Sequence, residues 1–196
     1  MNILITGDSW SSGAWVIKED GRRVSTPVLS ISLERDGHEV ILKDFPGGND
    51  FMALDEAVKY SDEVDIIIFY KTLTERIIRD QHPRVEKMIK ESFNAGDDEF
   101  EEIIEKLDDM IYRTLEGLNC RVFLIGGLCK IDQKVNVEYV LPSLIEELTD
   151  EEVPDNYTVS DIVDILHRCP KHFYPERMHP NRKAVAHTYN LIKEKI

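Results

Sequence analysis

The chain has 196 residues, of which 42% are hydrophobic and 32% charged, and its formal net charge is -14. That length suits one domain with a full core, and the composition is neither that of a disordered chain nor of a membrane protein. The acidic balance excludes a general nucleic-acid binder, which needs a basic footprint.

Three cysteines are present, Cys120, Cys129 and Cys169. Their number is odd and none forms a C-x-x-C pair, so they read as small apolar side chains in a reducing compartment. Ile3-Leu4-Ile5 is too short an apolar run for a signal peptide, and no stretch approaches the roughly 20 apolar residues of a membrane span. The expected location is cytoplasmic.

Asn2 to Thr6 reads as a first strand, apolar on both faces as a buried parallel strand is. Gly7 to about Gly21 reads as a loop. Pro27 to Asp36 has helical spacing (Val28, Leu29, Ile31, Leu33), and Gly37 is its C-terminal stop. His38 to Lys43 is a second strand, followed by the turn Asp44-Phe45-Pro46-Gly47-Gly48-Asn49-Asp50. Phe51 to Tyr60 is a helix. Val64 to Phe69 is the third and most apolar strand, ending at Tyr70-Lys71-Thr72-Leu73-Thr74-Glu75-Arg76.

Pro83 to Leu118 reads as helical, broken at Asn94-Ala95-Gly96. Phe100, Ile103, Ile104, Leu107, Met110, Ile111 and Leu115 form one stripe, and the acidic residues between them form a solvated face. Arg121 to Ile125 is a fourth strand ending at Gly126-Gly127. Val135 to Leu141 is a fifth, and Pro142 to Glu147 and Asp161 to His167 are short helices. Pro170 to Arg182 reads as loop, and Arg182 to Ile196 as a terminal helix. No repeat or linker interrupts the chain, so residues 1–196 read as one domain. Alternation of strands and helices predicts a three-layer α/β/α sandwich with a mostly parallel sheet of about five strands.

In such a sheet, chemistry sits at the carboxyl ends of the strands. Ser9 lies just past the end of the first strand. A serine nucleophile needs a base, a group to orient that base, and donors for the oxyanion. Among six histidines, His179 stands out. It lies in Tyr174-Pro175-Glu176-Arg177-Met178-His179-Pro180-Asn181, where Glu176, three residues earlier, can fold back onto the imidazole. Arg76, a turn past the third strand, is a candidate for binding an anionic substrate group.

Gly7-Asp8-Ser9 after the first strand and Glu176-x-x-His179-Pro180 before the last helix resemble the first and last motif blocks of the SGNH, or GDSL-type, hydrolases, which are flavodoxin-like α/β esterases and lipases. The resemblance implies Ser9 as nucleophile and His179 as base. It implies Glu176 as the orienting acid, where the family usually has Asp. It also implies that the backbone N–H of Gly48, or alternatively Gly47, joins the oxyanion hole. The family's G-x-N-D after the third strand is missing. Gly47-Gly48-Asn49-Asp50 fits it by letter but follows the second strand, so Asn49, Thr72 or Thr74 are the candidates for the side-chain donor. The implied activity is hydrolysis of a small ester or acylated sugar through an acyl-serine, with no metal, no organic cofactor, and no nucleic-acid or membrane partner. Oligomeric state is not legible.

Two other functions fit parts of the pattern. One is an SGNH-like domain that binds a ligand or partner without hydrolysis, motivated by the absent asparagine. The other is a flavodoxin-like phosphate binder using Thr6 to Gly13. It lacks a Walker lysine and G-x-G-x-x-G, and Asp8 would repel an anion.

Overall fold

In a computed structural model, the described residues are 1–11, 13–17, 23–72, 97–127, 129–131, 135–153, 159–169, 171–174 and 179–196. In chain order the elements are β1 (Asn2–Gly7), β2 (Ala14–Ile17), β3 (Arg23–Thr26), α1 (Val28–Arg35), β4 (Glu39–Asp44), α2 (Asp50–Tyr60), β5 (Ile66–Lys71) and α3 (Asp97–Glu116). Then follow β6 (Arg121–Gly126), β7 (Tyr139–Leu141), α4 (Leu144–Thr149), α5 (Val159–Arg168), β8 (Phe173–Tyr174), β9 (His179–Pro180) and α6 (Arg182–Lys193).

Five strands form a parallel sheet in the order β4-β1-β5-β6-β7. Strand alternation divides the core between two layers. Ile3, Ile5, Ile66, Ile68, Phe123 and Ile125 pack with Leu29 and Leu33 of α1, with α4 and α5, and with Ala184, Val185 and Ile192 of α6. Leu4, Ile67, Phe69, Val122 and Leu124 pack with Phe51, Leu54 and Ala57 of α2 and with Leu107, Ile111 and Leu115 of α3. This is the three-layer α/β sandwich that the alternating apolar runs predict. Covering both faces is what allows these strands to be apolar throughout.

Helix ends follow their local chemistry. Asn49 caps α2, its Oδ1 accepting from the N–H groups of Phe51 (3.0 Å) and Met52 (3.2 Å). Asn181 caps α6 in the same way through Lys183 (2.8 Å) and Ala184 (3.2 Å). Gly37 follows α1 at φ +91°, the left-handed stop expected there. The acidic helix α3 carries i,i+4 ion pairs on its exposed side, Glu102–Lys106 and Asp109–Arg113. Among the described residues no cluster of metal-ligating side chains occurs, and no helix is long and apolar enough to cross a membrane.

Four sequence expectations are corrected. The stretch read as one loop from Gly7 to about Gly21 contains β2, which pairs antiparallel with β3 just beyond it. The stretch read as a loop before α6 contains the antiparallel pair β8–β9, with Tyr174 opposite His179. The third strand of the sheet runs from Ile66 to Lys71, two residues beyond the predicted end, and Val135–Leu141 forms a strand only over Tyr139–Leu141. Of the predicted helical stretch 83–118, residues up to 96 lie outside the described residues. All three cysteines are free, but only Cys129 is buried.

Gly7 closes β1 at φ +149°, and a methyl group there would lie 2.6 Å from Tyr70 Cβ and 2.8 Å from Tyr70 O. Both the backbone and the neighbouring strand therefore require glycine. Gly7→Ala is expected to destabilise the fold by about 1–3 kcal/mol, read as a lower urea midpoint at unchanged slope.

Candidate active site

Ser9 lies in the turn immediately after β1, at the carboxyl rim of the sheet. The turn is built locally. Ser11 N–H (3.1 Å) and Ser11 Oγ (2.7 Å) both donate to Asp8 O, and Trp10 N–H donates to Asp8 Oδ1 at 2.9 Å. Asp8, Ser9, Trp10 and Ser11 are all buried. Trp10 packs on Phe173 of β8 with ring centroids 5.6 Å apart. Phe173 in turn pairs with Pro180, so the serine turn and the hairpin carrying His179 share one apolar anchor.

His179 Nε2 lies 3.0 Å from Ser9 Oγ, joining residues 170 positions apart. The hairpin is fixed on its far side by the start of α6. There Asn181 N–H donates to His172 O at 2.9 Å and Asn181 Nδ2 donates to Lys171 O at 2.9 Å. His172 Nδ1 is 2.8 Å from Leu148 O, tying the segment to α4. A half-buried imidazole held at hydrogen-bond distance from a buried hydroxyl on a strand-end turn is the geometry of a base and its nucleophile.

Solved structures with the same architecture are known. The fold is SGNH hydrolase-like. An esterase, EstA from Pseudoalteromonas sp., described as psychrotrophic and inhibited by monoethylphosphonate, superposes with a TM-score of 0.51 at 12% identity, covering 99% of this chain and 95% of that one. TesA superposes with a TM-score of 0.50 at 12% identity, covering 100% of this chain and 97% of that one. No protein-family model and no curated protein matches the sequence. At this identity the likeness concerns the SGNH-like fold, and the chemistry must be argued from the side chains in place.

Those side chains redistribute the expected oxyanion donors. The Gly48 N–H, expected to face the oxyanion, instead donates to Phe45 O at 2.6 Å, closing the turn after β4. Gly48 is needed there for a different reason, since a methyl group would lie 2.7 Å from Phe45 Cβ. Gly47 occupies the turn at φ +77°. Thr72 is also engaged: its hydroxyl donates to Asp8 Oδ2 at 2.9 Å, and its N–H donates to Asp50 Oδ1 at 2.8 Å. It therefore braces the turn that carries Ser9, and its hydroxyl and N–H protons are both engaged. Asn49 differs from both. It is 2% exposed, its Oδ1 is spent on the cap, and its buried Nδ2 has no hydrogen-bond acceptor among the described residues. A buried donor without a partner costs about 1–3 kcal/mol and calls for a functional explanation. Glu176, Thr74 and Arg76 lie outside the described residues.

Sequence reasoning missed Lys71. Strand parity turns its side chain to the same side as Ile67 and Phe69, between α2 and α3. There it is 1% exposed, with Nζ 2.9 Å from Asp50 Oδ2 and 2.8 Å from Asp108 Oδ1. Burial opposes its charge, but the two carboxylates outweigh that and hold the ammonium well above its ordinary range. Burial pushes the Asp50 carboxyl up to about 6, against the pull of Lys71. Asp50 in the folded chain thus holds its proton more tightly than in the unfolded chain. By itself it favours folding most below about pH 4, and that preference is lost as pH rises through about 6. The stability of Asp50→Asn relative to the unsubstituted chain should therefore improve between pH 4 and pH 7, as urea denaturation at the two pH values reads directly. No signal in the sequence separated this lysine from a surface one, because its partners sit on two other elements.

Cys129, beyond β6, is the other buried candidate nucleophile. Burial pushes its thiol far up, so it stays protonated and unreactive at neutral pH. A groove of about 920 Å³ beside α3, lined by Asp108, Asp109, Tyr112 and Lys130 among others, includes neither Ser9 nor His179.

Proposed function

We propose that the protein is a serine-dependent hydrolase of ester bonds. The observation that carries this reading is the 3.0 Å separation of Ser9 Oγ and His179 Nε2. With the imidazole proton on Nδ1, Nε2 accepts the Ser9 hydroxyl proton as Oγ adds to the acyl carbon. The tetrahedral oxyanion is met by the Ser9 N–H and by Asn49 Nδ2, whose burial without a partner among the described residues supports that role. Collapse breaks the bond to the leaving alcohol, which takes the proton from imidazolium. Water, deprotonated by His179, then attacks the acyl-serine and releases the acid. Glu176 holds the imidazole tautomer in this mechanism, as a longer equivalent of an aspartate. The chemistry requires no metal or organic cofactor.

The fold shared with esterases, one of them inhibited by a phosphonate, supports an acyl-ester substrate over a phosphate ligand. So does the buried carboxylate of Asp8, next to Ser9 in sequence, whose charge disfavours an anion in this turn. The reading takes the substrate to be a small acyl ester, an acetylated sugar or a thioester. The test is turnover of a panel holding p-nitrophenyl acetate, a p-nitrophenyl octanoate, an acetylated xyloside and an acyl thioester. Hydrolysis of at least one above background is expected. A folded protein that hydrolyses none of these classes would remove the reading.

A further inference from the structure

Among the described residues Lys71 is the only fully buried lysine or arginine. Placing an ammonium in a core costs several kcal/mol unless its bonds are well made, and an apolar residue would fill the same space beside Ile67 and Phe69. Here the ammonium pairs with two carboxylates, Asp50 Oδ2 at 2.9 Å and Asp108 Oδ1 at 2.8 Å, and donates a hydrogen bond to Thr72 O at 3.1 Å. Thr72 is then held at every polar atom. Its carbonyl accepts from Lys71, its N–H donates to Asp50 Oδ1 at 2.8 Å, and its hydroxyl donates to Asp8 Oδ2 at 2.9 Å. The other oxygen of Asp8 accepts the Trp10 N–H at 2.9 Å, across the peptide that carries Ser9.

A continuous polar path therefore runs from α3 through Lys71, Asp50 and Thr72 to both sides of Ser9. Asp50 is also the first residue of α2 and follows Asn49, so the lysine pairs with the side chain next in sequence to the buried amide. Nothing in this path except Ser9 meets the reacting atoms. We propose that Lys71, acting through Asp50 and Thr72, is a positioning residue that fixes the Asp8-Ser9-Trp10 turn for attack. The inference rests on the ester-hydrolase reading and deepens it. It explains why this strand ends in a buried cation. The rim after β5 holds a threonine whose hydroxyl and N–H protons are both engaged, and the lysine converts that threonine into a strut for the nucleophile.

Thr72→Val tests the link closest to Ser9, because it removes only the hydroxyl and leaves the backbone bonds and buried charges in place. Its kcat on the ester the protein turns over should fall about 10- to 100-fold, since small misplacements of reacting groups cost that much, while KM stays unchanged. The rate of fluorophosphonate labelling should fall by the same factor, and Thr72→Ser should recover both. Lys71→Met should act in the same direction, and the double variant should be no slower than the slower single, as expected for members of one network. If Lys71→Met does not fold, the threonine pair carries the test. Unchanged kcat and labelling in folded Thr72→Val, a change confined to KM, or additive losses would overturn the role while leaving the esterase reading intact. An unsubstituted chain that neither hydrolyses esters nor reacts with the phosphonate removes the esterase reading and this role with it.

Discussion

Ser9→Ala is expected to lower kcat by about 10⁶-fold, and His179→Ala by a comparable factor, because a nucleophile and its base act as a unit. The double variant should be no slower than either single. That non-additivity is the informative part. Two residues that merely support the fold would lower activity through stability, and their effects would add when they are independent. Ser9 and His179 share one hydrogen bond of 3.0 Å, so removing either ends the same proton transfer. Neither substitution opens a large cavity: Ser9 loses one hydroxyl, and His179 is only half-buried. Circular dichroism and urea midpoints close to those of the unsubstituted chain should accompany the loss, with KM little changed where binding survives.

Asn49 is expected to give the second large effect. Removing one oxyanion donor typically costs about 10²–10³ in kcat, or 2.7–4 kcal/mol. The residue has two separable jobs. Its Oδ1 caps α2 through Phe51 and Met52, and its Nδ2 is the buried donor without a partner among the described residues. Asn49→Ala removes both, so it should lose the full rate factor and also about 1 kcal/mol of stability. Asn49→Ser keeps an N-cap of equal quality but lacks the amide. It should be as slow as the alanine variant and nearly as stable as the parent. A serine variant with parental kcat would assign Asn49 to the cap alone, leaving the hole to other donors.

The parts of this molecule that were legible in its sequence are those decided by local pattern. Ile3-Leu4-Ile5, Val40-Ile41-Leu42, Ile66-Ile67-Ile68-Phe69 and Val122-Phe123-Leu124-Ile125 are apolar on both faces because helices cover both sides of the sheet, and that double burial appears as unbroken runs. Asn181 before α6 and Gly37 after α1 mark helix ends through their own side-chain and backbone chemistry. The proximity of Ser9 and His179 was legible because one follows a strand and the other precedes a helix, each flanked by turn-forming residues.

What escaped sequence reasoning depends on contacts between distant segments. The pair β8–β9 is two residues per strand, too short for any periodicity, and it exists because Phe173 packs on Trp10. The apolar run ends at Phe69, two residues short of the lysine that closes β5; Asp50 and Asp108 let that lysine be buried, and neither is near Lys71 in the chain. Gly48 matched a motif by letter and position, yet its N–H is consumed by Phe45 O, a detail of turn geometry that letters do not encode. Thr72 stands where the motif has an asparagine, but its hydroxyl proton goes to Asp8.

The central claim is that Ser9 is a nucleophile activated by His179, and covalent capture tests it most directly. The unsubstituted chain and its His179→Ala variant are treated with a fluorophosphonate at neutral pH, and adducts are located by peptide mass spectrometry. The proposed mechanism predicts one phosphonyl group per chain, carried by the peptide containing Ser9, and much slower labelling without the imidazole. A folded chain that stays unmodified at Ser9 under conditions that saturate a control serine esterase would contradict it.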